Sequence, residues 1–202
     1  MGPELHRRAL FLSYFTVAYN LIEGILSILA GSMADSIALI GFGLDSFVES
    51  LSGMIVIWRF RLHGKISAEE EEKVEGKAAR FIGYTFFILG LYVLYESIKK
   101  LYLGETTEPS LFGILIAIVS LITMPILFYL KYRTGRQLGS RSLMADSKET
   151  LACSFLSLAL LAGLGLNYLY GLWQADPVIG FVIVGYLIKE GRETLAGGEE
   201  EE

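Results

Sequence analysis

Residues 36–58 read SIALIGFGLDSFVESLSGMIVIW. This stretch contains no Lys, Arg or His and is long enough to cross the hydrocarbon of a bilayer, which takes about 20 residues as helix. Near its middle stand two carboxylates, Asp45 and Glu49. They are spaced i,i+4, so both project from one helix face. A charged side chain at mid-bilayer costs on the order of 3 kcal/mol even on the lenient insertion scale, and adjacent carboxylates repel. A structural role would pair one of them with a Lys or Arg, but the sequence places no basic residue in the middle of a span. A bound cation, or protons, is left to offset the pair.

Five further segments of the same kind flank this one, at about 9–30, 81–102, 111–130, 143–166 and 176–190. Together they predict an all-α integral membrane protein with six transmembrane helices over residues 1–195, followed by a disordered acidic tail at 196–202. The sixth span is short in apolar terms. Asp176 and Pro177 give it an N-cap and a proline at the first helical position, and Trp173 and Lys189 can anchor its two ends at the interfaces. Gly41 and Gly43 permit close helix approach beside Asp45, and Pro125 is expected to kink the fourth span.

Composition agrees. The chain has 202 residues, 53% of them hydrophobic, and its charge is confined to short stretches between apolar runs. The net charge of -5 is inflated by the acidic runs 69–72 and 199–202. With no basic excess and no recognition motif, nucleic acid is excluded as a partner. Cys153 is the single cysteine, so no intramolecular disulfide forms. The apolar run after His6, Arg7 and Arg8 is too long for a signal-peptide core and contains Asn20 and Glu23, so it reads as a retained span.

With a cytoplasmic N-terminus, 15 of the 17 Lys and Arg fall on the inner side, leaving only Lys99 and Lys100 outside. The positive-inside rule then puts both termini in the cytoplasm, in the cell (plasma or inner) membrane. The inner loop from His63 to Ala78 reads as a solvated, partly helical face, with metal collection by His63 and Glu69 to Glu72 as the sharper alternative.

The fifth span carries the complement to Asp45 and Glu49. Glu149 and Cys153 are again i,i+4. At about 1.5 Å per residue, Asp45 and Glu49 lie roughly 14 and 20 Å below the outer edge, and Cys153 and Glu149 roughly 18 and 24 Å on an antiparallel helix. Three carboxylates and a thiol then form a four-ligand metal set suited to tetrahedral coordination. The blander readings are Cys153 as a packing residue and Glu149 as a partner of Lys148 or Arg141. Glu23 and Asn20 in the first span are expected to face the interior, as a helix–helix hydrogen bond or a proton-linked partner. Asp146, near the cytoplasmic end of the fifth span, is expected to cap the helix or guide ions, and Asp35 to sit at an outer turn.

Three stretches resemble the cation diffusion facilitator (cation efflux) family: Gly31-Ser32 through Ser36–Leu39 to Asp45 and Glu49; Ala145-Asp146 with Glu149 and Cys153; and Ala175 to Gly180. The likeness runs over roughly residues 9–195. It implies a six-helix exporter bundle that exchanges a divalent ion, usually Zn²⁺, for protons, often as a homodimer, with Asp45, Glu49, Glu149 and Cys153 at the transport-site positions. Two departures stand out. The fifth-span pair is Glu and Cys where the family has His or Asp and then Asp, and the family's C-terminal cytoplasmic metal-sensing domain is not found in the sequence. A thiolate favours Zn²⁺ or Cd²⁺, while three carboxylates tolerate Mn²⁺ or Fe²⁺. No organic cofactor is implied. The competing readings are an intramembrane aspartyl hydrolase using Asp45 and Asp146, and a non-transporting accessory subunit.

Overall fold

The computed structural model describes residues 3–62 and 68–199. Six helices follow one another: α1 Pro3–Ala34, α2 Ile37–Leu62, α3 Ala68–Leu103, α4 Leu111–Leu138, α5 Arg141–Tyr170 and α6 Ala175–Glu199. No strand occurs among the described residues. The shortest, α6, has 25 residues and is therefore about 38 Å long, more than the roughly 30 Å hydrocarbon core. It runs on to Glu199, into the stretch expected as an acidic tail. Four helices, α1, α2, α4 and α5, are long and apolar enough by themselves to cross a bilayer. His63 lies outside the described residues, as do the side chains of Glu69, Glu71 and Glu72.

Local chemistry fixes the tight connections. Gly139 (φ +64°) and Gly171 (φ +66°) end α4 and α5 in the left-handed conformation that favours glycine. Ser110 and Ser140 cap the starts of α4 and α5, their hydroxyls accepting from Gly113 N at 3.0 Å and Leu143 N at 3.4 Å. Ser36 does the same for α2, accepting from Leu39 N at 3.1 Å.

The helices pack chiefly as three pairs, α1 with α2, α4 with α5, and α3 with α6. Contacts of α1 with α4 and of α2 with α5 join the first two pairs into a four-helix bundle, and the α3–α6 pair lies against α2, with α6 also touching α5. Close approach of α1 and α2 depends on glycine. A Cβ on Gly43 would sit 2.9 Å from the Gly24 carbonyl oxygen, and a Cβ on Gly24 equally close to that of Gly43. Gly41 instead faces Val93 and Ile183 of the α3–α6 pair.

The burial pattern differs from that of a water-soluble bundle: large apolar side chains cover the outside, and polar groups share the inside with an apolar core that includes Leu39, Phe42 and Leu160. Large apolar side chains such as Phe11, Ile22, Ile88, Leu91, Ile122 and Phe155 point outward, while Ser13, Thr16, Asn20, Glu23 and Ser27 form a buried polar stripe along α1. An apolar exterior of this kind suits a surrounding of lipid, and polar side chains on membrane-spanning helices face the bundle interior.

Two expectations about the outer ends are corrected. Asp176 sits inside the first turn of α6 and serves α2 instead of capping its own helix: its carboxylate accepts from the Ser36 hydroxyl and from Ile37 N at 3.0 Å. Lys100 is not an outer-loop charge. It is buried, 3.5 Å from Asp176 Oδ2, and donates to the Asp35 carbonyl. Asp35 itself occupies the α1–α2 turn with φ +51°. The α5–α6 connection brings Asp176 over the unsatisfied N-terminal amides of α2, and a buried carboxylate there takes a cation as partner.

Candidate metal centre

α2 carries Asp45, Glu49 and Ser52 toward α5, and α5 carries Glu149, Thr150 and Cys153 back toward α2. Asp45, Glu49 and Cys153 are buried; Glu149 is partly buried. The Cys153 thiol donates to Asp45 Oδ2 at 3.7 Å across the two helices and also lies beside Glu49. Glu49 Oε1 accepts the Thr150 hydroxyl at 2.7 Å. Its other oxygen, Oε2, is buried with no hydrogen-bond partner among the described residues. Glu149 is met by the Ser52 hydroxyl of α2 rather than by Lys148, which is exposed.

The arrangement thus faces Asp45 with Cys153 directly and Glu49 with the fifth helix through Thr150. The four expected ligands are not gathered about one point: among the described residues no three His, Cys, Asp or Glu side chains stand in metal-holding positions. The carboxylates repel one another and are taken up separately, one by a thiol and two by hydroxyls.

Around this centre, Glu23 of α1 accepts from Tyr19 at 3.0 Å on its own helix and from Ser46 of α2 at 3.0 Å, the helix–helix hydrogen bond expected of it. Asn20, one turn away, is fully buried with neither amide atom bonded among the described residues. Asp146 does not cap α5, whose cap is Ser140. It forms a buried ion pair with Lys131 of α4, Nζ to Oδ2 2.7 Å. Lys131 lies past the expected fourth span, so no basic residue stands at mid-span, but burial brings this one into the bundle. Lys131, counted as the first inner-loop charge, is fully buried and also donates to Thr150 Oγ1 at 2.9 Å. The pairing was available from hairpin arithmetic. The α4–α5 turn is at Gly139 and Ser140, so Lys131, eight residues before Gly139, and Asp146, six after Ser140, lie at similar depth on antiparallel helices. Glu190 of α6, missed in the sequence because it follows the apolar stretch, is near enough to Asp45 and Glu149 to act on them electrostatically.

A polytopic helical bundle with an apolar exterior and opposed acidic and thiol groups at its centre defines a membrane transport domain. The chain belongs to the cation efflux family: it matches the cation efflux transmembrane domain over residues 13–196. It is therefore a transporter-type domain and not an enzyme. Asp45 and Asp146, the two aspartates a hydrolase would need, are engaged by Cys153 and Lys131 respectively. Transmembrane protein 163 of Xenopus laevis is 26% identical over 93% of this chain and 68% of its own length. Magnetosome protein MamB of a Magnetospira species is 25% identical over 88% of this chain and 57% of its own. A probable cation efflux system protein of Mycobacterium tuberculosis is 24% identical over 83% and 51%. The chain thus spans between about half and two thirds of the length of these curated relatives.

Proposed function

We propose that this protein exports a divalent metal cation, Zn²⁺ in preference to Mn²⁺ or Fe²⁺, with Cd²⁺ as a close mimic, in exchange for protons. The observation that carries the reading is the contact of Asp45 on α2 with the Cys153 thiol on α5 at 3.7 Å, inside the bundle and one turn from Glu49. A carboxylate and a thiol brought face to face from opposed helices are a borderline-soft donor pair, which suits Zn²⁺. Glu49, whose Oε2 is free of hydrogen bonds among the described residues, and Glu149 complete the set when the ion draws them in, since its charge removes the repulsion that keeps the carboxylates apart.

The cargo reaches the site from the cytoplasmic ends of α2 and α5, past Glu149 of α5 and the nearby Glu190 of α6. Rocking of the bundle then exposes it to the other side. Protons compete for the same carboxylates and release the ion, which couples export to the proton gradient. In this reading both termini face the cytoplasm, the chain resides in the plasma or inner membrane, and it works as a homodimer.

The test is Zn²⁺ flux in proteoliposomes under an imposed pH gradient. Wild type accumulates Zn²⁺ when the lumen is acidic, and Asp45→Ala, confirmed folded, abolishes it. Equal flux in Asp45→Ala would remove Asp45 from the site.

A further inference from the structure

Lys131 is the one fully buried lysine of α4, and its surroundings link it to the candidate site. Its ammonium lies 2.7 Å from Asp146 Oδ2 and 2.9 Å from Thr150 Oγ1. The Thr150 hydroxyl has a single proton and two acceptors in reach, Glu49 Oε1 at 2.7 Å and the Asp146 carbonyl of its own helix at 3.1 Å; the nearer, anionic acceptor takes it. Lys131, Thr150 and Glu49 therefore form one polarised donor chain from α4 through α5 to α2. Two hydrogen bonds end to end keep Lys131 Nζ within about 5.6 Å of Glu49 Oε1.

We infer that Lys131 is a resident counter-cation of the transport site: a tethered positive charge that holds Glu49 through Thr150 when no metal is bound and competes with the metal for it. This rests on the transport reading above and adds a residue that sets affinity and release. The physical need is clear. Asp45, Glu49 and Glu149, with Glu190 on α6, concentrate negative charge in a low-dielectric interior. A site with nothing but carboxylates would bind a divalent ion too tightly to release it. An ammonium one hydroxyl away offsets part of that charge, and its ion pair with Asp146 of α5 keeps it from reaching the carboxylates directly, so that it weakens the site without occupying it. Lys131 is a positioning residue, since it reaches the cargo ligand only through Thr150.

The test is Zn²⁺ binding measured by calorimetry on the full chain in nanodiscs, with wild type, Lys131→Met, Asp146→Asn and the double variant. Removing a unit charge at this distance changes affinity by about tenfold or more. Lys131→Met is expected to bind Zn²⁺ about tenfold tighter and to transport it more slowly, because release is hindered. Asp146→Asn, which leaves the ammonium unopposed, weakens binding by a similar factor. The double variant, with both charges gone, returns to within about threefold of wild type. A purely structural pair predicts a different pattern, with both single variants weakening binding. That result, or unchanged affinity in Lys131→Met, overturns the inference. Should Lys131→Met not fold, Lys131→Gln, which keeps a donor to Thr150 without the charge, replaces it, and tighter binding is again required. If wild type itself binds no divalent cation, the transport reading fails and this inference falls with it, a result distinct from same-sign effects on a site that does bind.

Discussion

Replacing Asp176 tests how the end of the bundle at the α1–α2 turn is held together. Its carboxylate performs three tasks: it accepts from Ile37 N at 3.0 Å and from the Ser36 hydroxyl, both at the start of α2, and it faces the buried ammonium of Lys100 at 3.5 Å. Both Lys100 and Asp176 side chains are 1% exposed. Removing one partner of a buried ion pair costs on the order of 3–5 kcal/mol because the other charge is left uncompensated. Loss of the contact to the α2 amide adds about 1 kcal/mol. The Asp35 carboxylate, 3.8 Å from Lys100 and two-thirds exposed, offsets part of this. Asp176→Ala should therefore destabilise the fold by about 3–5 kcal/mol. The double variant Lys100→Met, Asp176→Leu leaves no buried charge and should cost only about 1–2 kcal/mol, the unpaired groups at the start of α2. Equilibrium unfolding in mixed micelles, followed by helical circular dichroism, measures both. If Asp176→Ala loses less than about 1 kcal/mol, or if the double variant is no more stable than the single one, the pair does not hold α3 and α6 to α2 and the reasoning fails.

Other consequences can be checked in parallel. Cys153→Ala should lower Zn²⁺ and Cd²⁺ affinity by roughly tenfold to a hundredfold while changing Mn²⁺ affinity little, since only the soft ions lose a favoured donor; equal losses for all three, read by calorimetry, would point to packing instead. Zn²⁺ affinity should fall as pH is lowered, because ligands must give up protons to bind the ion, and a titration series should show a shallower pH slope for Glu49→Gln. Gly43→Ala forces a Cβ to 2.9 Å from the Gly24 carbonyl and should cost about 1–3 kcal/mol in unfolding free energy. Gly165→Ala, with nothing within 4 Å, should be neutral or gain up to about 1 kcal/mol.

Much of the fold was legible because the membrane imposes a coarse rule. Apolar runs of the right length, bounded by charge, announce helices, and Asp45 and Glu49 stand out against them. Depth counted along antiparallel helices set Cys153 near the level of Asp45, and the two side chains meet at 3.7 Å. Charges at helix ends misled the reading. Lys100, Lys131 and Asp176 each sit where an apolar run stops, and a one-dimensional reading assigns such residues to loops or caps. The helices extend past their apolar runs: α4 continues to Leu138 and α3 begins at Ala68. Residues at the margins are therefore drawn into the packed bundle, where partners distant in sequence, such as Lys100 and Asp176, neutralise them. Thr150 was unreadable for another reason. A lone hydroxyl on a helix carries no signal until the groups on its two sides, Lys131 and Glu49, are known.

The central claim is that a thiol and carboxylates from opposed helices hold the cargo. X-ray absorption at the zinc edge of the Zn²⁺-loaded protein reads this most directly. The account predicts one sulfur at about 2.3 Å together with oxygens at about 2.0–2.2 Å, and loss of the sulfur shell in Cys153→Ala. A shell of oxygen alone, or one unchanged by that substitution, would contradict it.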